Sequence, residues 1–173
     1  MKKTATKYIC AVTVIIALVL AKHGNQIRTT ERGLKIIGNA ESCIRTPYKC
    51  PAGYLTYGIG TAETSGEKII KGKIYTDTEI AESLKRNIKH AEDCVNQYAN
   101  GKQLPQGAFE AAVSITFNVG CTTMRKSTLF KYAQQGNIKA MCSQFNRWIY
   151  ANGKVLQGLV KRRQQETDLC LDF

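Results

Sequence analysis

The sequence predicts an α+β fold, mostly helical, in which a small lobe built on a β-hairpin adjoins a larger helical lobe. Three observations predict it. A run of β-branched and aromatic residues punctuated by glycine, Tyr54 to Thr61, reads as strand. From Thr76 onward apolar residues recur at spacings of three and four, the period of an amphipathic helix. And 173 residues of 43% apolar content suffice for one well-cored domain of two lobes, but not for two independent domains.

The elements follow in order. Lys22 to Thr30 (KHGNQIRTT) is a polar connector, after which Leu34, Ile36, Ile37 and Ala40 mark a short helix that ends at Glu41. Thr29 or Thr30 is suited to cap it. Pro47, Cys50-Pro51 and Ala52-Gly53 mark a turn-rich passage before the strand. Residues 62–74 read as a hairpin and an exposed loop rich in glycine and lysine. Thr76-Asp77-Thr78-Glu79 has the form of a capping box. Ile80, Leu84, Ile88, Ala91 and Val95 then make the stripe of a helix of about five turns. Further helices are expected near 106–117, 124–135, 138–149 and 158–169, with Gly101, Gly120, Gly136 and Gly153 at the breaks. A cleft between two such lobes suits an extended polymer.

The formal net charge is +12, and +9 remains without the first 21 residues, which hold three lysines and no acid. Such a field favours polyanions, whether nucleic acid, anionic lipid or an acidic envelope polymer, although a solvated basic surface accounts for it equally well. The start of the chain narrows the choice. Lys2, Lys3 and Lys7 precede an uncharged run, Tyr8 to Ala21, which has the form of an export signal. As a helix it rises about 21 Å against a hydrocarbon core of roughly 30 Å. A cleaved signal peptide, ending at Val19-Leu20-Ala21, and a retained anchor both fit, and the shortness of the run favours cleavage. Either way the bulk of the chain is exported, which argues against nucleic acid as partner.

The seven cysteines, Cys10, Cys43, Cys50, Cys94, Cys121, Cys142 and Cys170, suit an oxidising compartment. There is no CxxC pair, and His23 and His90 stand apart, so neither a metal site nor a cofactor is expected. The odd count leaves at least one thiol over, unless Cys10 departs with a cleaved peptide.

Glu41 is the candidate for acid chemistry. Glycoside hydrolysis needs a carboxylic acid to protonate the leaving oxygen and a second group on the opposite face. Glu41 ends an apolar helical stretch, where desolvation can keep a carboxyl protonated. Taken alone, a Glu at a helix end is usually a surface residue, and Thr56 an ordinary strand residue. Gly58 and Gly60 can bring backbone close to a sugar or simply kink the hairpin. Arg147, Trp148 and Tyr150 can face substrate, with core packing favoured for Trp148, the only tryptophan. Lys161, Arg162 and Arg163 read as a solvated helix end.

Spacing changes the weight of these residues. Glu41, eight residues, Cys50, five residues, Thr56 resembles the Glu-x8-Asp/Cys-x5-Thr signature of the phage-type lysozyme family. AESCIRTPYKCPAGYLTYGIGT resembles that family's helix, turn and hairpin, FNVG (Phe117 to Gly120) its helix-end motif, and RWIYANGKVLQGLVKRR its C-terminal segment. The resemblance covers roughly residues 29–170. It implies a lysozyme-like two-lobed domain and a monomeric muramidase that cuts the β-1,4 bond between N-acetylmuramic acid and N-acetylglucosamine in peptidoglycan strands. Glu41 is then the general acid, and Thr56 orients the attacking water or the second catalytic group. Cys50 stands where many members have Asp; its thiolate can stabilise the transition state, act as base or attack directly.

The N-terminus is similar to that of the signal-anchor-release branch of endolysins. The resemblance therefore turns the reading toward a retained anchor: residues 1–28 as signal-anchor-release segment and connector, residues 29–173 as catalytic domain. It implies a latent form held in the host inner membrane through residues 8–21, N-terminus cytoplasmic and catalytic domain periplasmic, and later released to the periplasm. It also implies a thiol switch, in which a latent Cys43–Cys50 bridge gives way to Cys10–Cys43. Cys94, Cys121, Cys142 and Cys170 would form two static bridges, with three pairings open. The rival readings are a lytic transglycosylase, which would leave anhydro-muramic ends, and a cationic envelope-binding protein without catalysis, which leaves the Glu-Cys-Thr spacing unexplained.

Overall fold

The computed structural model describes residues 8–50 and 53–173. Lys2, Lys3 and Lys7 of the basic start, and Pro51 and Ala52 of the turn-rich passage, lie outside the described residues. Helix α1 (Val12–His23) is apolar on every side and buries Ile15, Ile16 and Val19 against α2 (Glu31–Ala40) and α3 (Asp77–Tyr98). Among the described residues no helix is long and apolar enough to cross a membrane.

The small lobe is an antiparallel sheet of β1 (Cys43–Lys49), β2 (Leu55–Ile59) and β3 (Thr61–Ala62), in that order. The first part of the passage expected as turns, Pro47 to Lys49, is therefore strand. Pro47 is tolerated because β1 lies at the sheet's edge and its register slips between Ile44 and Tyr48, a bulge that needs no ladder donor there. Beyond β1, Gly53 N donates to Cys50 O at 2.8 Å. The hairpin expected within 62–74 shrinks to β3 and a 3-10 turn, Glu63–Ser65, before an exposed loop. Residues 8–10 run along the outer edge of β1, where Arg45 N donates to Tyr8 O at 2.7 Å and Cys10 N to Cys43 O at 3.0 Å.

The helical lobe begins with α3, whose capping box is present on both sides: Thr76 Oγ1 accepts from Glu79 N, and Thr76 N donates to Glu79 Oε2. Such a cap stabilises a helix by about 1 kcal/mol. Ile80, Leu84, Ile88, Ala91 and Val95 are all buried, as their spacing predicts. Helix α4 (Gln106–Val119) runs through the core, buried from Gly107 to Thr116. Around it lie α5 (Cys121–Met124), α6 (Thr128–Gln134), α7 (Ile138–Cys142) and α8 (Gln157–Leu171). The helix expected over 138–149 stops at Cys142. A 3-10 turn, Phe145–Arg147, leads instead into a hairpin of β4 (Tyr150–Ala151) and β5 (Lys154–Val155). Its turn is Asn152-Gly153, both at positive φ (50° and 74°), the pair that a two-residue hairpin favours.

Three disulfides close the fold: Cys10–Cys43 ties the N-terminal segment to β1, Cys94–Cys121 ties α3 to α5, and Cys142–Cys170 ties α7 to α8. Loops of this length are each worth about 3–4 kcal/mol in the chain-entropy account.

Candidate active site

Glu41 caps the C-terminus of α2 in extended conformation and emerges where the sheet meets the helical lobe. Arg162 Nη1 donates to its Oε1 at 3.1 Å. Arg162 is itself only 3% exposed. Its Nη2 donates to Ser114 O at 3.1 Å and its Nε to Glu166 Oε1 at 3.2 Å. Glu166 also accepts from Ser114 Oγ at 2.6 Å and pairs with Arg163, which reaches Asn118 Oδ1 at 3.0 Å. Burial pushes the Glu166 carboxyl up, against the pull of Arg163 and Arg162, and pushes Arg163 down to about 10 against the pull of Glu166. A buried network with this many donors is costly to break at any one member.

Two sequence expectations are corrected here. The solvated helix end fails for Arg162 and Arg163, which are buried in the first half of α8; Lys161 alone is exposed. The apolar surroundings expected for Glu41 are also absent, since its side chain is 26% exposed and ion-paired to Arg162. The network was detectable: Arg162 and Arg163 stand four and three residues before Glu166, the two spacings that meet on a helix.

Opposite Glu41 lies bare backbone. Gly60 has φ of 69°, and a Cβ there would sit 3.4 Å from Glu41 Oε2. A side chain would thus be strained and would stand over the carboxyl. Tyr48 connects the predicted residues. Its phenol is raised above the usual tyrosine range first by burial, then by the charges of Glu41 and Cys50, so acid and thiol act on one ring. Thr56 is Tyr48's cross-strand partner; it is buried, and its Oγ1 donates to Tyr54 O at 3.1 Å. Glu41 and Cys50 thus both bear on the Tyr48 phenol, and Thr56 pairs with Tyr48 across the strands. Cys50 stands outside the three disulfides.

Glu41 lines one of two neighbouring grooves, and Gly60, which faces it, lines the other. One, about 590 Å³, is walled by Tyr54 and Gly60 from the sheet and by Asn87, Phe117 and Asn118 from α3 and α4. The other, about 820 Å³, is lined by Glu41, Asn118, Leu156, Lys161 and Arg162. Asn118 belongs to both. Arg147 and Trp148 line neither; with Lys126 they border a separate hollow of about 300 Å³, and Trp148 packs half-buried against the core. Tyr150 is 62% exposed on β4.

A carboxyl where the sheet meets the helical lobe, on the wall of a groove of about 820 Å³, fits a glycoside hydrolase of lysozyme-like architecture. The phage lysozyme family profile matches residues 38–166. The chain is 41% identical to the SAR-endolysin of Escherichia phage P1, over 94% of this chain and 91% of that one. It is 35% identical to the SAR-endolysin of Haemophilus phage HP1, over 98% of each. The crystal structure of the active form of P1 phage endolysin Lyz superposes with a TM-score of 0.86 at 39% identity, over 95% of both chains. That of the secreted inactive form gives 0.58 at 38% identity, over 83% of this chain and 95% of the other. The chain belongs to the phage lysozyme family, among the SAR-endolysins, and is a glycoside hydrolase of the muramidase class.

Proposed function

We propose that the protein hydrolyses the β-1,4 bond between N-acetylmuramic acid and N-acetylglucosamine in peptidoglycan, as a monomer, with Glu41 as general acid. The observation that carries this reading is the placement of Glu41: on the wall of a groove, facing Gly60 of the sheet, and held from behind by a buried arginine. Cys50 supplies an anion near the acid, and Thr56 orients the attacking water or the second catalytic group, in keeping with their positions around Tyr48.

The same reading includes a latent state. The protein is made with residues 8–21 in the host inner membrane, N-terminus cytoplasmic and catalytic domain periplasmic, and with Cys43 bridged to Cys50. Residues 1–28 are the released segment and connector, residues 29–173 the catalytic domain. On release the Cys10 thiolate attacks the Cys43 sulfur, Cys10–Cys43 forms, and Cys50 departs as thiolate. One disulfide replaces another, so no oxidant is consumed. Two observations support this: the Cys10–Cys43 bridge, and the closer likeness to the active form of P1 endolysin than to its secreted inactive form.

The test is Cys10→Ser, exported, released and assayed on purified sacculi. Wild type should generate new reducing ends and no anhydro-muramic ends. The variant should stay inactive until reductant is added, whereas Cys43→Ser should be active without exchange. A Cys10→Ser protein active without reductant refutes the switch; anhydro-muramic products refute hydrolysis.

A further inference from the structure

We propose that the outer edge of the small lobe is a docking surface for anionic phospholipid, completed when residues 8–10 pair with β1. Four large apolar side chains are exposed there: Tyr8 at 39%, Ile9 at 59%, Ile70 at 52% and Ile74 at 39%. Backbone bonds to one residue bring them together. Arg45 N donates to Tyr8 O at 2.7 Å, and Arg45 O accepts from Tyr75 N at 2.9 Å. In a strand the N–H and C=O of one residue point to the same side, so the Tyr8 segment and the Ile74-Tyr75 segment share this edge.

The projecting loop is built, not loose. Lys73 N donates to Ile70 O at 3.2 Å around Gly72, whose φ is 78°. Ile70 N donates to Tyr75 Oη at 3.0 Å. Tyr75 is buried and stacked on Tyr57 with ring centroids 3.7 Å apart. A fixed turn that presents isoleucines to water loses little order on meeting an apolar phase.

Charge selects the partner. Lys68 and Lys71 are exposed beside the isoleucines, and among the described residues neither has an ion-pair partner. The nearby acids are engaged, Glu67 with Arg86 and Glu79 with Lys73. Lysine interleaved with isoleucine suits the boundary between headgroup and acyl chain, while a sugar polymer offers nothing to the isoleucines. Single exposed apolar residues need no explanation, but four around one edge strand with lysines between them do. None of these residues lines either groove, so a docked molecule keeps its cleft open. An enzyme bound in this way would work on the wall layer facing the membrane.

The full chain, in its Cys10–Cys43 form, is sedimented with vesicles of phosphatidylglycerol and phosphatidylethanolamine, with phosphatidylcholine vesicles, and with purified sacculi. Binding should require phosphatidylglycerol and weaken with salt. Ile70→Ser/Ile74→Ser, and separately Lys68→Gln/Lys71→Gln, should each weaken it about ten-fold or more. Hydrolysis of dispersed sacculi should stay at the wild-type rate in both, which shows that they fold. The proposal fails if either double variant sediments like wild type, because α1 is then what enters the bilayer. It also fails if phosphatidylcholine serves as well, if vesicles are ignored, or if the lysine pair matters only for sacculi. Vesicle binding is read without catalysis, so its failure is distinct from failure of the proposed activity.

Discussion

Two neighbouring stretches of the chain are held in opposite ways. Helix α1 is attached by apolar contacts, by one disulfide at its start and by one polar tie near its end, His23 Nε2 to Glu82 Oε1 at 2.7 Å. Five residues further on, Arg28 to Thr30 is clamped by buried carboxylates. Glu92 Oε1 accepts from Arg28 N at 2.8 Å, from Thr29 N at 2.7 Å and from Thr29 Oγ1 at 2.8 Å. Glu110 Oε1 accepts from Thr30 N at 2.6 Å. The Arg28 guanidinium adds bonds to Gly101 O and Leu104 O and lies 4.2 Å over the Phe109 ring.

The contrast shows where the chain can move. Apolar contacts are non-directional and can be exchanged for lipid at small cost, and a disulfide can be exchanged for another. Backbone N–H groups bonded to a buried carboxylate have no such substitute. If the N-terminal segment moves from bilayer to fold as proposed, it would pivot just before Arg28, while α2 and Glu41 at its end would stay in place. The catalytic frame continues this logic, because Glu41 rests on Arg162, and Arg162 on Glu166 and Ser114.

The largest expected effect comes from the acid alone. Glu41→Gln keeps a carbonyl to accept from Arg162 but has no proton to donate. Activity on sacculi should fall about 10²–10⁴-fold or more, with unchanged thermal unfolding. Near wild-type rates would remove Glu41 from the acid role. A large loss of stability would instead make its pair with Arg162 part of the fixed frame.

The clamp comes next. Glu92→Ala deprives two backbone N–H groups and a hydroxyl of their acceptor, at a cost of about 3 kcal/mol. The unfolding midpoint should drop by roughly 6–12 °C in calorimetry. A change under about 2 °C would mean that water replaces the carboxylate and that the pivot is not fixed there.

The elements legible in the sequence were those set by local pattern. Helix α3 announced itself through its stripe and capping box, and the Glu41-Cys50-Thr56 spacing singled out the residues that the proposed mechanism uses. Strand β1 was hidden because its partners lie on β2, across a turn, and because Pro47 argues against strand unless the bulge is known. The Asn152-Gly153 hairpin carried its own signal, overridden by the helical pattern around it. Charged residues misled most. Arg162, Arg163, Glu92 and Glu110 are all buried, yet charge alone assigns them to the surface. Position was the better guide: Glu92 falls four residues after Ile88 on the apolar stripe, and Glu110 interrupts the apolar run from Gly107 to Val113.

The smallest effect tests the other side of the comparison. His23 is 9% exposed, and its bond to Glu82 is a polar tie on the face of α1 that meets α3. Glu82 is 37% exposed, so solvent screens the pair and its net worth is about 1 kcal/mol. His23→Leu should therefore shift global unfolding by only about 2–4 °C, while amide exchange across α1 speeds up and exchange at Thr29 and Thr30 does not. Equal acceleration on both sides of Arg28 would show that α1 and the clamp open as one unit. In that case the pivot lies further along the chain, and the division of labour between exchangeable and fixed attachments fails.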